Sequence, residues 1–96
     1  MSFSALNEEL LQMIIQEIEA YYSGQIRFPQ LVSDIGTAID SLHNYDVEKW
    51  EKLKSKWRVL EEVNSLALDQ GCFEPLEEHK EVAENTLTGL KKLISG

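Results

Sequence analysis

Apolar residues recur every three to four positions through most of this chain, and the longest run of that pattern lies between Asp46 and Gln70. At about 100° per residue, Trp50, Leu53, Trp57, Leu60, Val63, Ala67 and Leu68 fall on one side, with Glu51, Lys54, Ser55, Arg58, Glu62 and Ser65 on the other. The spacing predicts one long amphipathic helix, capped by Asp46 and with Glu48 in its first turn. Both tryptophans of the protein sit on its apolar stripe one heptad apart. Other helices should therefore pack against it.

Three more helices follow from the same reading. Ser4 is placed to cap a first helix running to about Tyr22, with Asn7, Glu8 and Glu9 near its positive end. Leu6, Leu10, Met13, Ile14, Ile18 and Tyr21 form its apolar arc, widened by Leu11, Ile15 and Tyr22. Glu17 falls inside that arc and is expected to snorkel outward or bond a tyrosine; the alternative is a functional carboxylate.

Ser23-Gly24 closes this helix, and Gln25 to Phe28 make a short extended link. Pro29 suits the first position of a second helix. Leu31, Val32, Ile35, Ala38, Ile39 and Leu42 are its buried stripe, and Gly36 marks an edge where another helix can come close. The opposite face, Ser33, Asp34, Thr37, Asp40 and Ser41, carries no cation.

Gly71 is a natural left-handed cap for the long helix, and Phe73-Glu74-Pro75 begins the fourth. Leu76, Val82, Ala83, Leu87, Leu90, Leu93 and Ile94 form one face of that helix, and Glu74, Glu77, Glu78, Glu81 and Glu84 the other. Gly89 predicts fraying after Thr88. Four helices with short connections imply an all-α fold, a four-helix antiparallel bundle over residues 1–96 as a single helical domain. Only Gln25 to Leu31 offers a competing strand.

Composition fits a globular protein: 43% of the 96 residues are hydrophobic and 27% charged. No apolar run approaches the roughly 20 residues of a membrane span, and the N-terminus lacks the basic region of a signal peptide. A cytoplasmic location is expected, and the lone Cys72 fits a reducing compartment.

Candidate chemistry is sparse. His43 and His79 lack the spacing of a zinc motif, and His79 reads as a hydrogen-bonded histidine at a helix edge. Cys72 has no basic neighbour to activate it, and the scattered glycines match no nucleotide loop. The expectation is a protein that is not an enzyme, with neither metal nor cofactor.

Charge is more informative. The formal net charge is −8, which disfavours direct contact with nucleic acid or anionic lipid and suits a basic protein partner. The cations cluster between Lys49 and Arg58, where Glu51, Lys54, Arg58 and Glu62 can pair along the helix. From Val59 to His79 there is no lysine or arginine. Two acidic surfaces result: Asp34 with Asp40, and a band from Glu61 and Glu62 through Asp69 to Glu74, Glu77, Glu78, Glu81 and Glu84. Such residues often do no more than solvate a surface, but facing a basic cleft they steer association.

The turn Tyr22-Ser23-Gly24-Gln25-Ile26, followed by Phe28 and Leu31 and later by Trp57 with Leu60-Glu61-Glu62, resembles bacterial toxin immunity proteins. The similar groups are those of contact-dependent growth inhibition systems and the colicin D-like proteins. The resemblance implies a monomer that binds a cognate basic toxin domain, often a nuclease acting on tRNA or DNA, and blocks its active site or an exosite. Acidic residues would then stand in for substrate phosphates, with Tyr21, Tyr22 and Tyr45 as anchors or as core residues. The Tyr-Tyr-Pro motif of DNase-colicin immunity proteins is absent, since Ser23 follows Tyr22. The alternatives are a helical adaptor that pairs through Leu11, Ile15 and Tyr22, and a DNA mimic.

Overall fold

The computed structural model describes residues 3–96. Helix α1 spans Phe3–Tyr22, α2 Phe28–Asp40, α3 Val47–Asp69 and α4 Lys80–Ser95, with a 3-10 turn at Glu77–His79 before α4. Each helix packs on the next and α4 closes back on α1, the arrangement of an up-and-down bundle. The molecule measures 43 × 26 × 21 Å. At 1.5 Å per residue α3 is about 35 Å long, so it runs most of that length.

The core draws on every helix: Ile14 and Ile18 of α1, Phe28, Leu31, Ile35 and Ile39 of α2, Leu53 and Leu60 of α3, and Leu87 and Leu90 of α4 are fully buried. Trp50 and Trp57 pack on this cluster from the side. The caps of α3 follow the expected chemistry, with the Asp46 side chain accepting from the Lys49 N–H at 3.1 Å. Gly71 adopts φ +75°, as a left-handed cap requires.

Several local expectations are corrected. Helix α1 already includes Phe3, so Ser4 lies within its first turn rather than at its cap. Pro29 is the second residue of α2, and Phe28, assigned to the link, is its buried first residue. Helix α4 begins at Lys80 instead of near Pro75, because Leu76 is extended with ψ 151°. Glu74 therefore lies outside the helix, and Glu77 and Glu78 lie in the 3-10 turn that leads into it.

The later start of α4 also explains Val82, which lies in its first turn and is exposed while Ala83 takes the buried place. Leu68, at the edge of the α3 stripe beside buried Ala67, is likewise exposed. Finally, α4 continues through Gly89 to Ser95. The aliphatic stem of Lys56 occupies the space beside Gly89, where an added Cβ would meet Cε at 2.9 Å, and this packing offsets the glycine penalty.

Candidate functional site

Polar groups serve different ends in different parts of the bundle. Along the seam of α2 and α3, Trp57 Nε1 donates to the Val32 carbonyl at 2.7 Å and Trp50 Nε1 to the Ile39 carbonyl at 3.2 Å. Trp57 can come this close because Gly36 has no side chain; a Cβ there would lie 2.7 Å from the indole. Lys54 sits between the two rings, with Nζ 4.5 Å from the Trp57 centroid and 5.5 Å from that of Trp50. Its ammonium reaches Asp40 at 2.6 Å, and its side chain is only 14% exposed.

Asp40, itself exposed, is thus paired with a cation from α3, contrary to the reading of its face as free of cations. Lys54 turns across to α2, and among the described residues the expected pairs along α3 with Glu51, Arg58 and Glu62 do not form. Asp34 is engaged as well. Its carboxyl lies close to that of Glu17 on α1, whose Oε2 is enclosed without a hydrogen-bond partner. Two carboxylates can share a hydrogen bond only through a proton, and this bond, desolvation and the charge of Asp34 push Glu17 up to about 7. Glu17 neither snorkels nor bonds a tyrosine. The Asp34–Asp40 surface is therefore occupied by contacts within the bundle.

At the end of the molecule where α3 stops and α4 starts, the acids behave differently. Glu61, Glu62, Asp69, Glu77, Glu78, Glu81 and Glu84 are all exposed. Among the described residues only Glu77 of this set forms an ion pair, with Lys80 at 2.7 Å. Glu74 departs from the expected band. It turns toward α1 and α2, accepting from the Tyr21 hydroxyl at 2.7 Å and from the Phe28 N–H at 3.4 Å, and so ties the α3–α4 link to the end of α1 and the start of α2.

Tyr45 lies at the other end of α3, half-buried against the core, and burial raises its hydroxyl. With α3 about 35 Å long, Tyr45 cannot share a contact surface with Asp69 or Glu81.

Beside the acids lies a cleft of about 640 Å³ between the end of α1, the α1–α2 link and the start of α4. Tyr21, Tyr22, Arg27, Glu74, Lys80 and Glu84 supply its polar wall, and Ile26, Pro75, Ala83 and Leu87 its apolar one. Tyr21 packs edge-on against Phe28, whereas Tyr22 is 54% exposed. Burial, the bond to Glu74 and the charges of Glu74 and Glu84 together hold the Tyr21 hydroxyl far above its ordinary value. The Arg27 guanidinium stands 5.6 Å from the Phe73 ring.

This cleft was not visible in sequence, because it is assembled from segments some fifty residues apart that meet only when α4 closes on α1. A second feature left a signal. Asn7 is buried and exchanges two hydrogen bonds with the His43 backbone, Nδ2 to O at 2.6 Å and N to Oδ1 at 2.9 Å. It lies four residues before Leu11 and seven before Ile14, on the buried ridge of α1. His79, expected to be hydrogen-bonded, has a buried Nδ1 without a partner.

Among the described residues no three histidine, cysteine or acidic side chains gather to hold a metal ion, and no helix is long and apolar enough to cross a membrane. No family model, curated protein or solved structure matches the chain.

Proposed function

We propose that this protein is a non-catalytic immunity protein that neutralises a basic toxin domain, a nuclease by preference, by covering its cationic surface with the acidic end of the bundle. The observation that carries the reading is the contrast in how carboxylates are used. Asp34, Asp40 and Glu74 are engaged by contacts within the chain, whereas Glu61, Glu62, Asp69, Glu78, Glu81 and Glu84 are exposed and form no ion pair among the described residues. Unpaired like charges at one end bring no stability. Opposite a basic cleft they speed encounter and select the partner, with association reaching about 10⁸–10⁹ M⁻¹s⁻¹ at low salt.

The adaptor alternative relied on Leu11, Ile15 and Tyr22 of α1, of which Leu11 is buried and Ile15 half-buried in the bundle while Tyr22 stays exposed, so two of its three residues already pack within the chain. A basic nuclease fits the geometry better than a second copy of this acidic chain, because two surfaces of the same sign repel.

The experiment is reconstitution. The protein, tagged and expressed in its native host, should recover a basic polypeptide whose isolated domain cleaves nucleic acid, and adding the protein should stop that cleavage at equimolar ratio. Recovery of self-copies alone, or of a partner whose nuclease activity persists in the complex, contradicts the proposal.

A further inference from the structure

We propose that the cleft between Tyr22 and Glu84 is a receptor for one arginine side chain of the basic partner. The inference rests on the reading of this end as the partner-binding surface and adds the chemistry of its central contact. The cleft, at about 640 Å³, lies within the range of pockets that enclose a small ligand, so it accepts a long side chain with its flanking backbone.

Most of its polar groups are already committed. Glu74 is held by the Tyr21 hydroxyl and the Phe28 N–H. Lys80 turns to Glu77 at 2.7 Å, and Arg27 lies against Phe73. Two groups remain. Glu84, on the first turns of α4, forms no ion pair even though Lys80 is four residues away. The Tyr22 ring, tilted at 56° to Tyr21 with centroids 5.5 Å apart, stays exposed and accepts no hydrogen bond or ion pair from its neighbours.

Two cations and two carboxylates line the cleft, yet the groups that shift the tyrosines are the carboxylates. Tyr22 is raised by burial and then by Glu84, and Tyr21 also feels both Glu74 and Glu84. Lys80 itself is held protonated by Glu77, Glu84 and Glu74. Glu84 is the carboxylate of the cleft left without an ion pair, and a cation is its complementary occupant.

Arginine fits better than lysine. Its planar guanidinium can stack on the exposed Tyr22 ring while giving two N–H groups to the Glu84 carboxylate, and its stem can lie on Ala83, Leu87 and Ile26. A lysine ammonium forms only the point contact.

The test uses the intact protein and no toxin. Acetyl-Gly-Gly-Arg-Gly-Gly-amide is titrated to about 20 mM, a range that captures millimolar affinity, while the tyrosine ring and backbone resonances are followed by NMR. The lysine and citrulline versions of the peptide are run beside it. Saturable shifts at Tyr22, Glu84 and Ala83, weaker for lysine by about threefold or more and absent for the neutral citrulline peptide, are expected. Glu84→Gln should reduce arginine binding at least about fivefold, whereas Glu78→Gln, outside the cleft, should leave it unchanged.

Because Tyr22 and Glu84 are exposed, Tyr22→Leu and Glu84→Gln should keep the helical circular dichroism of the parent. Absence of saturable shifts, equal response to citrulline, or shifts that survive Glu84→Gln would overturn the cleft. A toxin complex that tolerates Tyr22→Leu and Glu84→Gln but breaks on reversal of Glu77, Glu78 and Glu81 would sink the cleft alone and leave the proposed function standing. Arginine-specific binding by a protein that captures no toxin would do the reverse.

Discussion

The two ends of α3 use charge in opposite ways. Toward α2, the front half of the helix carries Trp50, Lys54 and Trp57, whose polar atoms meet the Ile39 carbonyl, the Asp40 carboxylate and the Val32 carbonyl. Its far half carries Glu61, Glu62 and Asp69 into solvent without a cation, and the link and α4 add Glu77, Glu78, Glu81 and Glu84. Satisfied polar groups rigidify a fold; unsatisfied exposed ones leave it indifferent and are free to recognise something else. The comparison teaches that the acidic composition alone does not locate a binding surface. The proposed surface is drawn instead from the exposed carboxylates that the bundle leaves without an ion pair at the α3–α4 end.

Mutations break the comparison most strongly at the α2–α3 seam. Trp57→Ala removes a large ring and leaves a cavity against Gly36, and it should cost about 3 kcal/mol in urea unfolding. Next in size is an effect on binding alone. Reversing Glu77, Glu78 and Glu81 to lysine should weaken the toxin complex about a hundredfold at low salt and less at high salt, with the unfolding midpoint held. If the same triple variant unfolds the protein, the division of labour between the two ends is wrong.

A smaller effect sharpens the comparison at the opposite end of the bundle. Asn7→Ala removes both bonds to the His43 backbone and should destabilise the fold by about 1–2 kcal/mol while leaving partner affinity alone. The smallest effect concerns Glu17. Its pKa rises from 4.5 to about 7 on folding, so the native state holds the extra proton, and stability falls as pH climbs through that interval. Urea unfolding at about pH 5 and about pH 8 should show that decline in the parent and a flatter response in Glu17→Gln, whose amide donates to Asp34 without titrating.

Much of this architecture is legible in sequence because it follows from spacing and capping. The 3.6-residue period locates α1, α2 and α3 to within a residue or two, and Asp46, Pro29, Gly24 and Gly71 mark their ends. Gly36 was readable as a point of close approach, although its partner, Trp57, was not. Pairings between helices depend on relative rotation, which a periodic pattern leaves free. That is why the Glu17–Asp34 contact, the turn of Lys54 to Asp40 and the turn of Glu74 toward α1 and α2 were missed. The start of α4 was misplaced for a local reason: Pro75 is compatible with a helix start, but the extended Leu76 delays it.

The acidic band was therefore only partly legible. Its exposed members are spread over the far half of α3, the link and the start of α4, while Glu74, Asp34, Asp40 and Tyr45 make contacts within the chain. The distinction matters for design of any variant. A substitution at Glu74 or Asp40 would perturb the structure and be misread as a loss of recognition.

The most direct test of the central claim is a side-by-side capture from the native host with the parent protein and the Glu77→Lys, Glu78→Lys, Glu81→Lys variant, both tagged and both verified as folded. The account predicts that the parent holds a basic nuclease domain that the variant fails to retain. Equal recovery of that domain by both proteins would contradict it.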